Sequence, residues 1–393
     1  MYKNILVINL MHIGDLMLVT PVLRTLRANY PDAKISLLAD KKLADLVYFN
    51  KHIDECLLLD KKGKDNNIKN FIKFLFKVRE KHYDLVINLH RNERASALAA
   101  FSGARRIVGY SKPGFSLLFH KVMQNPSVAH HVGRGPFSLF PPYRYVPGWK
   151  HQVHAHLDVL RETLGIGKMD DGGLEMWLPE AAERSAEKLW RESFAPGQKV
   201  IAFNIGASWA TKRWPDSSFA ACADRFIERG YAIAFFGGSM DLGMVRECIS
   251  RMEYRPAPSK ESLVKVFTGK VTLGELAAML KRCSLFLTTD SGPMHVGVAM
   301  NIPIVTMFGA SPVPGFYPYD AKDVLLKSPE PCHPCGIHEC PRQGEENMAC
   351  MKRIPVETVM KYAWELLEEY GGKPAGELPP HDGQYECRVV ELY

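Results

Sequence analysis

A chain of 393 residues exceeds what one hydrophobic core usually supports, so two domains are expected, each able to bury a core of its own. The longest apolar run, Ile5 to Leu10 with Met11, follows one lysine and falls far short of the roughly 20 residues a spanning helix needs, so neither a leader peptide nor a transmembrane segment is expected. The net charge of +7 is uneven: residues 1–170 hold 26 Lys and Arg against 14 Asp and Glu, whereas 171–393 hold 24 against 29.

Along the chain, strand and helix patterns alternate from the start: a strand at Asn4–Leu10, a helix to about Asn29, a strand at Lys34–Ala39, a helix over 41–49, then Glu55–Leu59, a helix over 67–81, and Leu85–Leu89. Near-continuous Ile, Leu and Val strands between helices are the pattern of a parallel sheet covered on both faces. Residues 1–170 therefore read as a Rossmann-like domain. Thr20-Pro21 suits a helix start, although the helix can begin earlier, just after Asp15. From Asn125 to His151, five prolines and five aromatics interrupt the rhythm and read as a long loop or lid. Helix 152–164 leads through a glycine-rich linker to a second alternation over 171–354: Lys199–Ile205, helix 215–229, Tyr231–Phe236, helix 241–251, Val264–Phe267, helix 272–282, Ser284–Thr288, a helix from Pro293, and Pro303–Phe308. A C-terminal helix over 355–370 and a tail over 371–393 complete the expected organisation.

Candidate chemistry sits at the carboxyl ends of strands, where an open α/β sheet meets its ligands. His12-Ile13-Gly14-Asp15 follows the first strand, and Asp15 reads either as a general base or as a first-turn acid favoured by the helix dipole. In the loop after the strand at 199–205, Ser208, Thr211 and Lys212 can hold an anion, whereas Trp214-Pro215 reads as an anchor for the next helix. Gly237-Gly238 closes another strand and lets backbone approach a ligand, with Asp241 placed to accept from ribose hydroxyls; the same glycines suit any tight turn. Asp290-Ser291-Gly292-Pro293-Met294-His295 opens a helix whose first-turn N–H groups suit a diphosphate. His295 is a further donor or a packed first-turn side chain, and Asp290 is expected to meet sugar hydroxyls or orient the loop. Four cysteines, Cys332, Cys335, Cys340 and Cys350, could hold zinc or remain free thiols, and the nine cysteines together suit a reducing compartment.

Together, the Ile13-Gly14-Asp15 start, Thr20-Pro21, the Lys212-Arg213-Trp214-Pro215 block with Phe219, Gly237-Gly238, the Asp290–His295 block and Phe308-Gly309 resemble glycosyltransferase family 9, the heptosyltransferases of lipopolysaccharide core assembly. The resemblance covers residues 1–365 or so. It implies a GT-B fold: two Rossmann-like, doubly wound parallel-sheet domains facing a central cleft, with acceptor and base on the N-terminal domain and a nucleotide sugar, ADP-heptose, on the C-terminal one. Carried over, Asp15 is the candidate base, Lys212 a diphosphate contact, and Asp290 with Gly292–His295 the nucleotide-sugar loop. Asp241 stands where the family more often has a glutamate. The implied reaction is an inverting displacement in which Asp15 takes the acceptor proton and Lys212 stabilises the leaving diphosphate. No Asp-x-Asp motif is present, which agrees with a metal-independent transferase needing no cofactor.

The basic N-terminal half, which also holds ten of the 14 histidines, fits an anionic lipid-linked saccharide acceptor, and no basic-aromatic arrangement matches a nucleic-acid module. Gly14, His12, Arg134 and Arg144 are candidate acceptor contacts. The helix at 68–81 suits either ordinary sheet packing or a membrane surface. The expected setting is the cytoplasm, with peripheral contact at the inner face of the inner membrane. Two rival readings are a nucleotide-sugar epimerase or hydrolase of the same fold and a non-catalytic nucleotide-sugar-binding protein.

Overall fold

The computed structural model describes residues 2–112, 114–125, 149–257, 261–380 and 383–392. Two compact units follow one another, the first ending at Trp177 and the second continuing from Leu178. Residues 171–177, expected with the second domain, thus belong to the first. Their anchor is Arg24, which pairs with Asp170 at 2.9 Å and with Glu175 at 2.8 Å, while the Glu175 N–H donates to Thr20 Oγ1 at 3.2 Å.

In the first unit, strands β1 (Asn4–Ile8), β2 (Lys34–Asp40), β3 (Glu55–Leu59), β4 (Leu85–Asn88), β5 (Arg106–Tyr110) and β6 (Lys121–Met123) form one sheet in the order β3-β2-β1-β4-β5-β6. Every pairing is parallel, with Ile5 opposite both Ile35 and Leu85. Ile5 to Ile8 are fully buried, as a strand covered on both faces must be. The expected helix after β1 is divided into Ile13–Met17 and Thr20–Asn29. Pro21 cannot donate a helical N–H, and the Thr20 hydroxyl bonds back to the Met17 carbonyl at 2.9 Å, so the chain restarts there.

In the second unit, β7 (Val200–Asn204), β8 (Ala232–Phe236), β9 (Val264–Val266), β10 (Leu285–Thr289), β11 (Ile304–Phe308), β12 (Val324–Lys327) and β13 (Arg388–Glu391) lie in the order β13-β12-β11-β10-β7-β8-β9, again all parallel. The segment 371–393, expected as a tail, therefore carries an edge strand. The C-terminal helix runs Val356–Glu369 and buries Val359, Met360, Ala363, Leu366 and Leu367 in the core of this unit. Trp214 is buried beneath it, with its indole N–H donating to the Ile354 carbonyl at 3.1 Å and its ring edge-on to Phe219 at 5.0 Å. The expected anchoring role of Trp214 follows from these contacts. Both sheets match the GT-B architecture.

Candidate functional site

The strand order of the second sheet sets β10 beside β7, which brings two distant loops to one edge. Lys212, in a 3-10 turn beyond β7, reaches Asp290 at the end of β10, with Nζ to Oδ2 at 2.7 Å. Ser311 Oγ donates to the same carboxylate oxygen, and the Lys212 ammonium also lies 4.4 Å from the Trp209 ring centroid. Burial alone would raise the pKa of Asp290. The Lys212 charge and the hydrogen bonds from Lys212 and Ser311 outweigh it and hold the carboxyl below its ordinary range. Lys212 keeps 17% of its side chain exposed against 8% for Asp290, so the cation is the member of the pair that a ligand can meet.

Next to this pair the helix Gly292–Ala299 begins, with Ser291 as an extended N-cap and Pro293 in the first turn. Ser291, Gly292 and Pro293 are half-buried, whereas Met294 and His295 are buried. Burial lowers the His295 pKa to about 4, against an upward pull from Asp290, with Lys212 adding to the depression. The ring is therefore neutral near pH 7, and its Nδ1 has no hydrogen-bond partner among the described residues. Asn204, at the end of β7, accepts from Ser291 Oγ at 3.3 Å, and Thr289 Oγ1 donates to the Gly206 carbonyl at 3.3 Å, so β7 and β10 hold the turn between them.

Two residues expected to face a ligand are held within the protein. The Thr211 hydroxyl is buried and donates to the Ile337 carbonyl, so it fixes the Lys212 loop. The Asp241 carboxylate accepts from the Gly238 N–H at 2.8 Å and is buried against Gly206, where any added Cβ would lie 2.3 Å from Asp241 Cγ. Burial raises the Asp241 pKa, opposed by that N–H and by Arg213. Ser208 and Gly238 are exposed and Gly237 is half-buried, with φ of +147°, a conformation that favours glycine. Ser311, Asn204 and Trp209 were not singled out in the sequence. Ser311 follows β11 at a strand's carboxyl end, and that position was the available signal.

The cysteine segment braces the Lys212 loop. His338 stacks on Trp209 at 4.1 Å, His333 Nδ1 bonds to the Gly309 carbonyl, and the Gly336 N–H donates to the Ala310 carbonyl at 2.8 Å. Glu330 and Glu346 each pair with both Arg342 and Arg353 across the segment. Cys332, Cys335, Cys340 and Cys350 are free thiols, and among the described residues no three His, Cys, Asp or Glu side chains are arranged to hold a metal ion.

In the first unit, Asp15 lies in the first turn of the helix that follows β1. Its Oδ2 accepts from the His12 N–H at 3.3 Å, and the Asn9 amide donates to its carbonyl at 3.4 Å. Asp15 is half-buried, Gly14 is buried and His12 is exposed. Neighbouring strand ends add groups that no motif in the sequence marks. Lys61, after β3, pairs with Asp40 at 3.1 Å and donates to the Leu10 carbonyl at 2.6 Å; His90 and Arg91 follow β4, and Lys112 follows β5. Burial first, then the charges of Lys61, His12 and Lys112, lower the His90 pKa to about 3. His90 Nδ1 and Arg91 Nε are buried with no hydrogen-bond partner among the described residues. Arg134 and Arg144 lie outside the described residues, as does most of the loop 126–151.

The sequence profile described as glycosyltransferase family 9 (heptosyltransferase) matches residues 71–345. The chain is 27% identical over 362 residues to lipopolysaccharide heptosyltransferase 3 of Escherichia coli K12, covering 91% of this chain and 96% of that protein. Among solved structures, a family 9 glycosyltransferase from Veillonella parvula is 33% identical with a TM-score of 0.77, covering 93% of this chain and 98% of that one. The E. coli heptosyltransferase WaaC, solved with ADP-2-deoxy-2-fluoro heptose, shares the fold at 14% identity and a TM-score of 0.64, covering 92% and 99% of the two chains. By its sequence profile and by this structural likeness, the chain belongs to glycosyltransferase family 9.

Proposed function

We propose that the protein is a metal-independent, inverting heptosyltransferase that moves heptose from ADP-heptose to the inner core of nascent lipopolysaccharide. The observation that carries this reading is the Lys212–Asp290 pair at 2.7 Å beside the helix that begins at Gly292. A fixed ammonium and a row of first-turn N–H groups together form an anion site suited to a diphosphate. Relatives named lipopolysaccharide heptosyltransferases and a similar fold solved with an ADP-heptose analogue support that donor and acceptor.

In this reading Asp15 takes the proton of the acceptor hydroxyl as its oxygen attacks the anomeric carbon, and ADP departs from the opposite face with inversion. One carboxylate suffices, because the diphosphate leaving group is already acidic and needs no proton. Lys212 and the Gly292 helix start stabilise the charge that grows on the departing phosphate. Asp290 positions Lys212, while Ser208, Ser291 and the Gly237-Gly238 turn offer polar and backbone groups to the nucleotide sugar. The second unit thus takes the donor. The first, with Lys61, Arg91 and Lys112 at its strand ends beside Asp15, takes an anionic, lipid-linked acceptor, at the inner face of the inner membrane.

Incubation with ADP-heptose and a panel of truncated core acceptors, with products read by mass spectrometry, tests the reading. Acceptor-dependent gain of one heptose and release of ADP are expected. ADP released at the same rate without acceptor, or no transfer to any acceptor, would overturn it.

A further inference from the structure

The helix Ile68–Arg79 carries two apolar stripes, and sheet packing uses only one. Phe74 and Val78 are buried, with Phe71 and Leu75 packed against the same core. Ile68, Ile72 and Phe76, spaced four residues apart, form a second stripe that is 73%, 43% and 59% exposed. Lys69, Lys73 and Lys77, each one position further on, make an adjoining exposed row. The helix contains no Asp or Glu, and among the described residues none of these three lysines takes part in an ion pair.

The next helix, Glu93–Ala100, adds Ala95, Leu98 and Ala99 to the same core. Arg94 lies 5.7 Å from the Phe71 ring centroid, and Arg79 Cγ lies 3.3 Å from where a Cβ on Gly103 would stand. Beyond that helix, Phe101 and Phe115 meet edge to face at 5.4 Å, and Leu117 and Leu118 are 82% and 56% exposed. The first unit therefore exposes aliphatic and aromatic side chains on this helix and after the next one, with a row of lysines beside the helical stripe. A monomeric protein rarely leaves such a combination without a partner.

We propose that the outer side of helix Ile68–Arg79, with the exposed side chains of Phe101, Phe115, Leu117 and Leu118, docks the protein on an anionic lipid bilayer. Charge complementarity selects that occupant: the apolar stripe can enter the headgroup boundary while the lysine row meets lipid phosphates. A second copy of the chain packed by a twofold axis would set like lysine rows against each other. No helix among the described residues is long and apolar enough to cross a membrane, so the contact is one of lying on the surface. The inference deepens the proposed function, since a lipid-linked acceptor would be met at such a surface, but its test needs neither donor nor acceptor.

Full-length protein is floated with vesicles of phosphatidylcholine alone or mixed with phosphatidylglycerol. Binding to the mixed vesicles only, weakened by salt, is expected. The triple variant Ile68→Ser, Ile72→Ser, Phe76→Ser should lose at least about tenfold in binding. Each of Lys69→Gln, Lys73→Gln and Lys77→Gln should cost roughly fivefold. Circular dichroism should be unchanged in every variant, and transfer to a soluble acceptor should equal that of the parent protein. Equal vesicle binding by the parent and the triple variant sinks the proposal, as does binding indifferent to lipid charge. A triple variant that changes the oligomeric state in light scattering but not vesicle binding would assign the face to a second copy instead. Failure of heptosyl transfer with vesicle binding intact would count against the proposed function alone.

Discussion

Asp15 and Lys212 each follow a strand, yet their surroundings differ. Asp15 is half-buried and accepts from the His12 N–H in its own turn, and Lys212 is held by a buried carboxylate from another loop and by an indole face. Asp15→Asn keeps the shape and the N–H contact but cannot take a proton. Turnover should fall about 10²- to 10⁴-fold with ADP-heptose affinity unchanged, measured by single-turnover kinetics and calorimetry. Unchanged turnover would remove Asp15 from the base role. The positions of both residues were legible in the sequence, because a strand followed by a glycine or hydroxyl-rich turn is a local pattern. The partners of Lys212 were not, since Asp290 and Ser311 are remote in sequence and only the adjacency of β7, β10 and β11 brings them to it. The same limit explains Thr211 and Asp241, whose polar groups looked available until the fold gave them the Ile337 carbonyl and the Gly238 N–H.

The element that carries Lys212 is short, and other segments hold it in place. Gly309, at the end of β11, sits so close to that loop that an added Cβ would lie 2.7 Å from the Thr211 carbonyl oxygen and 2.6 Å from Met351 Sδ. Gly309→Ala should therefore push the Thr211–Lys212 backbone outward and weaken ADP binding by about tenfold or more, with the far-ultraviolet spectrum unchanged. Donor affinity equal to that of the parent would show that the loop yields freely. Most long elements were legible from periodicity: β1, β2, β3, β4, β7, β8 and the helix Val356–Glu369 all lie within a few residues of their expected bounds. The edge strand β13 was not. Its four residues carry no alternating pattern and exist as a strand because β12 offers them an open edge. The helix Ile68–Arg79 shows the converse: its period reveals two apolar stripes but not which one the sheet covers.

Across the whole molecule, burial lowers the pKa of four histidines among the described residues to about 3 or 4, two in each unit, and that of His154 in the same direction. His90 and His156 have pKa values lowered to about 3, and His295 and His333 to about 4, in each case with burial as the largest cause. An unfolded chain protonates its histidines near pH 6.5, so on acidification it gains protons that the folded form refuses. Their contribution is therefore complete above about pH 6.5 and is lost as the pH falls towards 4 and then 3, by about 1 kcal/mol per pH unit for each histidine. Urea denaturation near pH 7 and near pH 5 should show the lower stability at the acidic end. His156→Gln, which can keep a hydrogen bond to the Tyr110 hydroxyl now 2.9 Å from Nδ1, should flatten that slope. Equal stability at the two pH values would mean that these rings are not held neutral. The sequence by itself determined the two parallel α/β units and the family-like motifs at their strand ends, because period, capping and turn chemistry act between near neighbours. Only the tertiary structure decided the strand orders, the Lys212–Asp290–Ser311 constellation, the edge strand and the exposed stripe of Ile68, Ile72 and Phe76. Each of those depends on which distant segment occupies a face or an edge, and local sequence does not encode that distance.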